Sequence, residues 1–245
     1  MGRHAVALTG FSLGGQESSS SPCVSMPDSD YFLRASKIDK IYVHDDQVGP
    51  FARMVFDDMT VEFKYQGKEY ALKSLSTSWR GEDGNIGSVR AVPDILLIPL
   101  YHKIRIPFGI IHDHVLCLDG FIETLRQSEM VKLALRPEWD IYLTTVNQYK
   151  SSVLQSITCN KYRILIESLP RFIWRATAFA GEVALMDLLF DATDIEQSSL
   201  LTTVVAYDNE WVETLIHSYN CMSADARKHP SLTVMAWLAK KYPLS

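Results

Sequence analysis

The spacing of apolar residues changes once along this chain of 245 residues, and that change limits the folds it can adopt. In the first part, apolar residues alternate with polar ones or form short runs, as in the strands of a half-buried sheet. Over residues 109–127 they recur every three or four positions, which is typical of an amphipathic helix. Strand-like runs then return, followed by two helical patterns. The sequence therefore predicts an α+β fold with an antiparallel sheet in its first part.

The predicted elements are short and are separated by glycine, proline or polar residues. The predicted strands are 3–11, 39–44, 52–56, 61–65, 68–75, 92–100, 140–146, 171–179, 183–190 and 200–207, and the predicted helices are 109–127, 210–219 and 231–241. Residues 12–30 and 76–90 are predicted to be loops, because they are polar and contain glycine. The pattern therefore predicts two parts, a β-rich part over 1–130 and an α+β part over 131–245. No linker-like composition separates them, so one continuous domain is the alternative.

Charge and hydropathy exclude several classes of partner. The net charge is −5, which offers no attraction to nucleic acid or to anionic membranes. No apolar run approaches the ~20 residues of a membrane helix, and the first residues do not read as a secretory signal. The four cysteines lack the C-x-x-C spacing of a thioredoxin-like site or a zinc ribbon. We expect a cytoplasmic protein with reduced thiols that binds neither nucleic acid nor membrane.

One histidine and two aspartates are the candidate catalytic residues. His4 opens the first predicted strand, and Asp45 and Asp46 follow the end of the next one. Antiparallel neighbours bring the start of one strand beside the end of the other. A catalytic imidazole needs an acceptor on its far nitrogen, which fixes the tautomer and stabilises the cation. The alternative is structural: His4 is a frayed terminal residue, and the aspartates begin a turn.

Two segments resemble the papain-like cysteine peptidases, most closely their C39-like branch. They are GRHAVALTGF (residues 2–11) and IYVHDDQVGPFARM (residues 41–54). In that family a histidine begins a core strand, and the third member of the triad ends the following strand. The resemblance covers residues 2–56 and implies that His4 is the catalytic histidine and Asp45 its orienting carboxylate. Asp46 is the alternative if the register differs by one residue. The implied substrate is a peptide or protein.

The family's nucleophilic cysteine is not in its usual place. Papain-like enzymes carry it at a helix N-terminus well upstream of the histidine, but only three residues precede His4. We therefore expect an incomplete or degenerate peptidase or amide hydrolase, inactive as this chain alone. It is either the C-terminal part of a longer product or a relative that has lost activity. The alternative is a non-enzymatic interaction module whose exposed apolar face binds a partner chain or a second copy.

Other candidate sites are weaker. Cys117 lies three residues after His114 on the predicted helix, which suggests a hydrolase built on this pair, but its apolar neighbours favour a place in the core. His112 and His114 lie two positions apart on that helix and point in different directions, so they do not share an ion. Residues 44–46 offer mixed metal ligands without a full set. No metal or cofactor is expected.

Charged residues also occur inside apolar strand-like runs of the second part. A cross-strand pair, Arg175–Asp187 or Arg171–Asp191, is the structural interpretation, because buried charges are usually paired. A ligand pocket built on the spare carboxylates is the alternative. Residues 191–194 are typical of a turn or a helix cap.

Overall fold

The computed structural model describes residues 4–13, 24–26, 29–31, 33–46, 48–65, 68–80, 84–93, 95–128, 136–155, 161–194 and 199–242. The strands in these ranges are β1 (Ala7–Leu13), β2 (Val24–Met26), β3 (Ser29–Tyr31), β4 (Ile38–Asp45), β5 (Gly49–Tyr65), β6 (Lys68–Arg80), β7 (Ile86–Ala91), β8 (Glu138–Thr145), β9 (Phe172–Ala180), β10 (Val183–Asp191) and β11 (Leu201–Ala206). The helices are α1 (Phe108–Gln127), α2 (Val146–Gln155), α3 (Lys161–Ile166), α4 (Asn209–Cys221) and α5 (Thr233–Lys241).

The chain divides into two compact units. Unit 1 comprises Met1–Ser20 and Ala35–Pro99, and unit 2 comprises Ser21–Arg34 and Leu100–Ser245. Both contain an antiparallel sheet, and the helices lie in unit 2, so the predicted α+β fold is confirmed. The main boundary between the units lies between Pro99 and Leu100, earlier than the boundary at residue 130 predicted from the sequence. The difference arises because the buried stripe of α1 belongs to the hydrophobic core of unit 2.

Unit 1 is a five-stranded antiparallel sheet in the order β1-β4-β5-β6-β7. Residues directly opposite each other on neighbouring strands lie on the same face. The register therefore places Ile41, Ala52 and Phe56 on the face that holds the small core of Val43, Met54 and Leu75. The opposite face carries polar side chains. The residues there that the structure describes include Lys40, Tyr42, His44, Arg53, Ser76 and Arg90.

Three predictions for segments that lie wholly or partly in unit 1 are wrong. Residues 76–90 are not one loop: β6 continues to Arg80 and pairs with β7. Serines at alternate positions there mark a solvated sheet face rather than a loop. Residues 92–100 form no strand where they are described, since prolines at 93 and 99 have no N–H to donate. Residues 12–30 are not simply a loop, because β1 extends to Leu13 and β2 pairs with β3. The predicted strands 52–56 and 61–65 are a single strand, β5.

Unit 2 is built on a four-stranded antiparallel sheet in the order β11-β10-β9-β8. The helices α1, α4 and α5 provide the apolar residues that cover one face, where Trp139 and Phe190 are fully buried. The predicted helices 109–127, 210–219 and 231–241 are confirmed as these three elements. On the other face, Tyr149 and Val153 of α2 and Ile164 of α3 pack against the sheet. The sequence pattern did not predict α2 and α3.

A buried carboxylate organises the second face of this sheet. Asp187 of β10 is fully buried, and the predicted pair with Arg175 is confirmed, with 2.9 Å between Nη2 and Oδ2. The hydroxyl groups of Thr177, Tyr149 and Tyr207 also donate to Asp187, at 2.6, 3.1 and 2.6 Å. Burial and the charge of Asp187 raise the pKa of both tyrosines, so they remain neutral donors. The carboxylate of β10 thus joins β9, α2 and the residue that follows β11.

The Asp187→Ala variant tests this role. Removing the carboxylate leaves Arg175 without its buried counter-ion and three hydroxyl groups without their acceptor. We expect the free energy of unfolding to fall by ~3–5 kcal/mol, measured by urea denaturation. Asp225→Ala is the control, because Asp225 forms an exposed ion pair with Lys228 and its loss should not be measurable. Equal stability of the two variants would contradict the structural role of Asp187.

Candidate functional site

The predicted histidine and both predicted aspartates lie together in unit 1. Strand β1 pairs antiparallel with β4, with Ala7 opposite His44, so the residues before β1 run alongside the end of β4. The Nε2 atom of His4 is 3.1 Å from Oδ1 of Asp45 and 3.2 Å from Oδ1 of Asp46. The predicted proximity is therefore observed for both carboxylates. The strand itself begins at Ala7, later than its predicted start.

The turn between β4 and β5 holds Asp45 in place. Its Oδ1 atom also accepts a hydrogen bond from the backbone N–H of Val48, at 3.3 Å. Gly49 closes the turn with a φ of 114°, which side-chain-bearing residues rarely adopt. Between this turn and the Val43–Ala52 pair, β5 contains one residue more than β4. Phe51, with a φ of 58°, lies in the resulting bulge, a feature often found next to functional sites.

The three side chains differ in their access to water. Asp45 is 11% exposed, His4 is 37% exposed and Asp46 is 81% exposed. Electrostatic interactions with Asp45 are therefore screened least by solvent, and those with Asp46 most. Within the described residues, the Nδ1 atom of His4 has no hydrogen-bond partner. The site thus presents an imidazole that is held at one nitrogen and open at the other.

An open pocket of about 420 Å³ adjoins the two carboxylates. It is lined by Ala5, His44, Asp45, Asp46 and Pro50. The His44 ring packs edge-on against Phe51, with 4.7 Å between the ring centroids. The potential metal-binding group within the described residues is accordingly His4, Asp45 and Asp46, whose donor atoms all lie within 4.8 Å of one another. It differs from the 44–46 set considered from the sequence, because His4 takes the place of His44.

No cysteine belongs to unit 1. All four cysteines of the sequence fall within the segments of unit 2, and Cys23 and Cys159 lie outside the described residues. Cys117 is half-buried on α1, and burial together with the charge of Asp113 raises the pKa of its thiol. The imidazole of His114 contacts the carbonyl oxygen of Ile110 at 2.6 Å and stacks on another ring, that of Trp237. These contacts favour a structural role for Cys117.

The sequence pattern missed a second thiol–imidazole pair. In α4, Sγ of Cys221 is 3.5 Å from Nε2 of His217, and both residues are exposed. The spacing of four residues between His217 and Cys221 could have revealed this pair from the sequence, because it places both side chains on the same face of a helix. It was overlooked because the predicted helix ended at residue 219. The pair lies at the C-terminal end of α4, where the helix dipole does not favour a thiolate.

The two described thiols are expected to react at different rates. A raised pKa leaves less of Cys117 as thiolate at a given pH, and its burial also slows the approach of a reagent. In mildly alkaline buffer, we therefore expect iodoacetamide to modify the exposed Cys221 faster than the half-buried Cys117. Peptide mapping by mass spectrometry measures both rates. Faster modification of Cys117 would revive the hydrolase hypothesis based on Cys117 and His114.

Comparison with known proteins adds no family assignment. No family model, no curated protein and no solved structure matches the chain. Among the described helices, none combines the length and apolar character needed to cross a bilayer.

Proposed function

We propose that unit 1 carries the acid–base part of a papain-like thiol hydrolase acting on a peptide or protein. In this proposal His4 is the general base and Asp45 orients its ring. Asp46 adds a second negative charge. The observation that supports it is the 3.1 Å contact between Nε2 of His4 and a carboxylate that a backbone N–H also holds in place.

The two nitrogens of the His4 ring have different tasks in this mechanism. A proton on Nε2 donates to Asp45, which fixes the tautomer and leaves the lone pair of Nδ1 available to take a proton. When Nδ1 gains that proton, the ring becomes a cation beside two carboxylates. Their negative charge stabilises the cation in the transition state, as expected of a general base.

The nucleophile of this reaction has to come from outside unit 1, because that unit contains no cysteine. The proposal therefore keeps the expectation that the chain alone holds an incomplete active site. A small thiol supplied in solution can take the place of the missing side chain. The reaction then tests the base without knowledge of the natural substrate.

A chemical rescue experiment tests the proposal with the full chain, p-nitrophenyl acetate and added 2-mercaptoethanol. The thiol sulfur bonds to the acetyl carbon, the bond from that carbon to the nitrophenolate oxygen breaks, and the thiol proton moves to Nδ1 of His4. The release of p-nitrophenolate is followed by absorbance. We expect His4→Gln and Asp45→Asn each to lower the thiol-dependent rate due to the protein about tenfold or more.

The matched control is His102→Gln, which removes an exposed histidine of unit 2 and should leave the rate unchanged. Circular dichroism confirms that each variant is folded. The proposal fails if the folded His4→Gln variant retains the full thiol-dependent rate.

Exposed apolar side chains on β1 favour a second candidate function, a non-enzymatic interaction module. Leu8 and Phe11 lie opposite Val43 and Ile41, on the same face as the small core, yet they are 52% and 60% exposed. Strand β1 is also one of the two edge strands of its sheet. An exposed apolar edge strand is a template for pairing with another chain. The partner we favour is a second copy, because two identical edges pair antiparallel about a two-fold axis.

Light scattering with increasing protein concentration tests this second candidate. We expect a dimer that the Leu8→Ser and Phe11→Ser double variant converts to a monomer. Val183→Ser is the control, since it removes a comparably exposed apolar side chain from unit 2. A wild-type chain that stays monomeric throughout would contradict dimerisation.

A further inference from the structure

Residues 95–100 form a run of large apolar side chains that water reaches. Five of them are between 47% and 87% exposed: Ile95, Leu96, Leu97, Ile98 and Leu100. Their backbone belongs to no helix or strand, and the described part of the chain offers it no hydrogen-bond partner. Single exposed apolar residues are common on protein surfaces, whereas contiguous ones mark a surface that binds something.

The chain becomes basic directly after this run. His102, Lys103 and Arg105 are exposed, and residues 95–112 contain no acidic residue, although the whole chain has 29. Neither Lys103 nor Arg105 forms an ion pair with a residue that the structure describes. Positive charge that the protein itself does not neutralise is complementary to an anionic partner.

The sheet of unit 2 holds the basic stretch in place. The backbone N–H groups of Arg105 and Ile106 donate to the carbonyl oxygen of Ala192, at 2.8 and 3.2 Å. The indole N–H of Trp174 donates to the carbonyl oxygen of Ile106, at 2.9 Å. The N–H of Ala192 in turn donates to the carbonyl oxygen of Phe172, at 3.1 Å. The basic stretch therefore lies at the end of the sheet where β9 begins and β10 ends.

A third exposed cation lies at the same end of the sheet. The rings of Tyr101 and Phe172 pack together, with 5.1 Å between their centroids. The guanidinium carbon of Arg171 is 5.4 Å from the centroid of the Phe172 ring. Arg171 is exposed, and it too has no ion pair within the described residues. Tyr101, at 44% exposure, thus lies between the apolar run and a group of cations.

These features match the surface of an anionic bilayer better than a partner strand. Pro93 and Pro99 have no N–H to donate, which disfavours the addition of a strand to this run. A bilayer interface needs no matching ladder of hydrogen bonds, because water and headgroups satisfy the backbone there. Apolar side chains enter the acyl boundary, tyrosine favours the interface, and lysine and arginine attract anionic headgroups.

The negative net charge of the chain does not prevent such a contact. It is −5 when all residues are counted. At physiological ionic strength, however, screening limits the influence of an exposed charge to about 8 Å. A bilayer that touches residues 95–105 therefore interacts mainly with the cations nearby.

We propose that residues 95–105, together with Arg171, attach the chain to the surface of an anionic lipid bilayer without crossing it. The apolar side chains of residues 95–100 enter the interface, and the cations contact the headgroups. None of these residues belongs to the candidate site of unit 1. The inference therefore goes beyond the proposed function and does not rest on it.

Sedimentation of the full chain with vesicles tests this attachment. Vesicles of phosphatidylserine and phosphatidylcholine in equal parts are compared with vesicles of phosphatidylcholine alone. We expect the chain to bind the anionic vesicles about tenfold more tightly or better, since each cation at an anionic surface contributes about fivefold. For the same reason, the Lys103→Gln and Arg105→Gln double variant should lower the partition coefficient about tenfold or more. The Leu96→Ser and Leu97→Ser double variant should also lower it about tenfold or more, because it removes apolar area from the interface.

Two matched double variants serve as controls. Lys240→Gln with Lys241→Gln removes the same charge from the exposed end of α5. Tyr162→Ser with Ile166→Ser removes two side chains of α3 that are 77% and 87% exposed. We expect both controls to bind like the unaltered chain. Circular dichroism confirms that every variant is folded.

Binding to anionic vesicles that both test variants lose and both controls keep supports the proposal. No binding to anionic vesicles overturns it, and so does binding that the folded Leu96→Ser and Leu97→Ser variant retains in full. Light scattering covers the alternative of a second copy: a dimer that this variant abolishes, without vesicle binding, assigns the apolar run to self-association and overturns attachment to lipid. Vesicle binding and His4-dependent thiol rescue are separate measurements, so either proposal can fail while the other stands.

Discussion

The antiparallel pairing of β1 with β4 is the contact on which the candidate site depends. It brings together two residues that are 41 positions apart in the chain, and no local interaction could do so. The pairing fixes the strand register, and the register decides which carboxylates meet the imidazole of His4. A slip of one residue would turn His4 to the other face of the sheet. The chemistry of the site is therefore a consequence of backbone hydrogen bonds that lie outside it.

The main features of the site were predictable because they follow from strand polarity. A histidine at the start of one strand and acids at the end of its antiparallel neighbour have to meet, whatever the detailed packing. The sequence left Asp45 and Asp46 as alternatives, whereas the structure brings both to the same nitrogen. That outcome depends on the turn at Val48–Gly49 and on the bulge at Phe51. Turn and bulge geometry depend on tertiary context, so the pattern of residue types did not reveal them.

The errors in predicting the fold have a common physical origin. The segment 76–90 looked like a loop because its side chains are polar, yet one face of this sheet is solvated and its strands are held by backbone pairing. The run 92–100 looked like a strand because it is apolar, yet its prolines remove the donors that a sheet needs. The polarity of a side chain indicates whether it is buried. Whether a segment pairs as a strand depends instead on its free backbone N–H and C=O groups. The α1 helix was predicted well because there burial and periodicity agree.

The carboxylate of Asp187 in unit 2 is buried, whereas Asp45 and Asp46 in unit 1 lie near the surface, and this difference bears on function. In unit 2, Asp187 is enclosed and its charge is satisfied by a guanidinium and three hydroxyl groups, so little of its binding capacity is left for an external group. In unit 1, two carboxylates converge on one imidazole nitrogen at the margin of a sheet, beside an open pocket. The enclosed carboxylate stabilises the fold of unit 2, whereas the carboxylates of unit 1 contact an imidazole that solvent can reach.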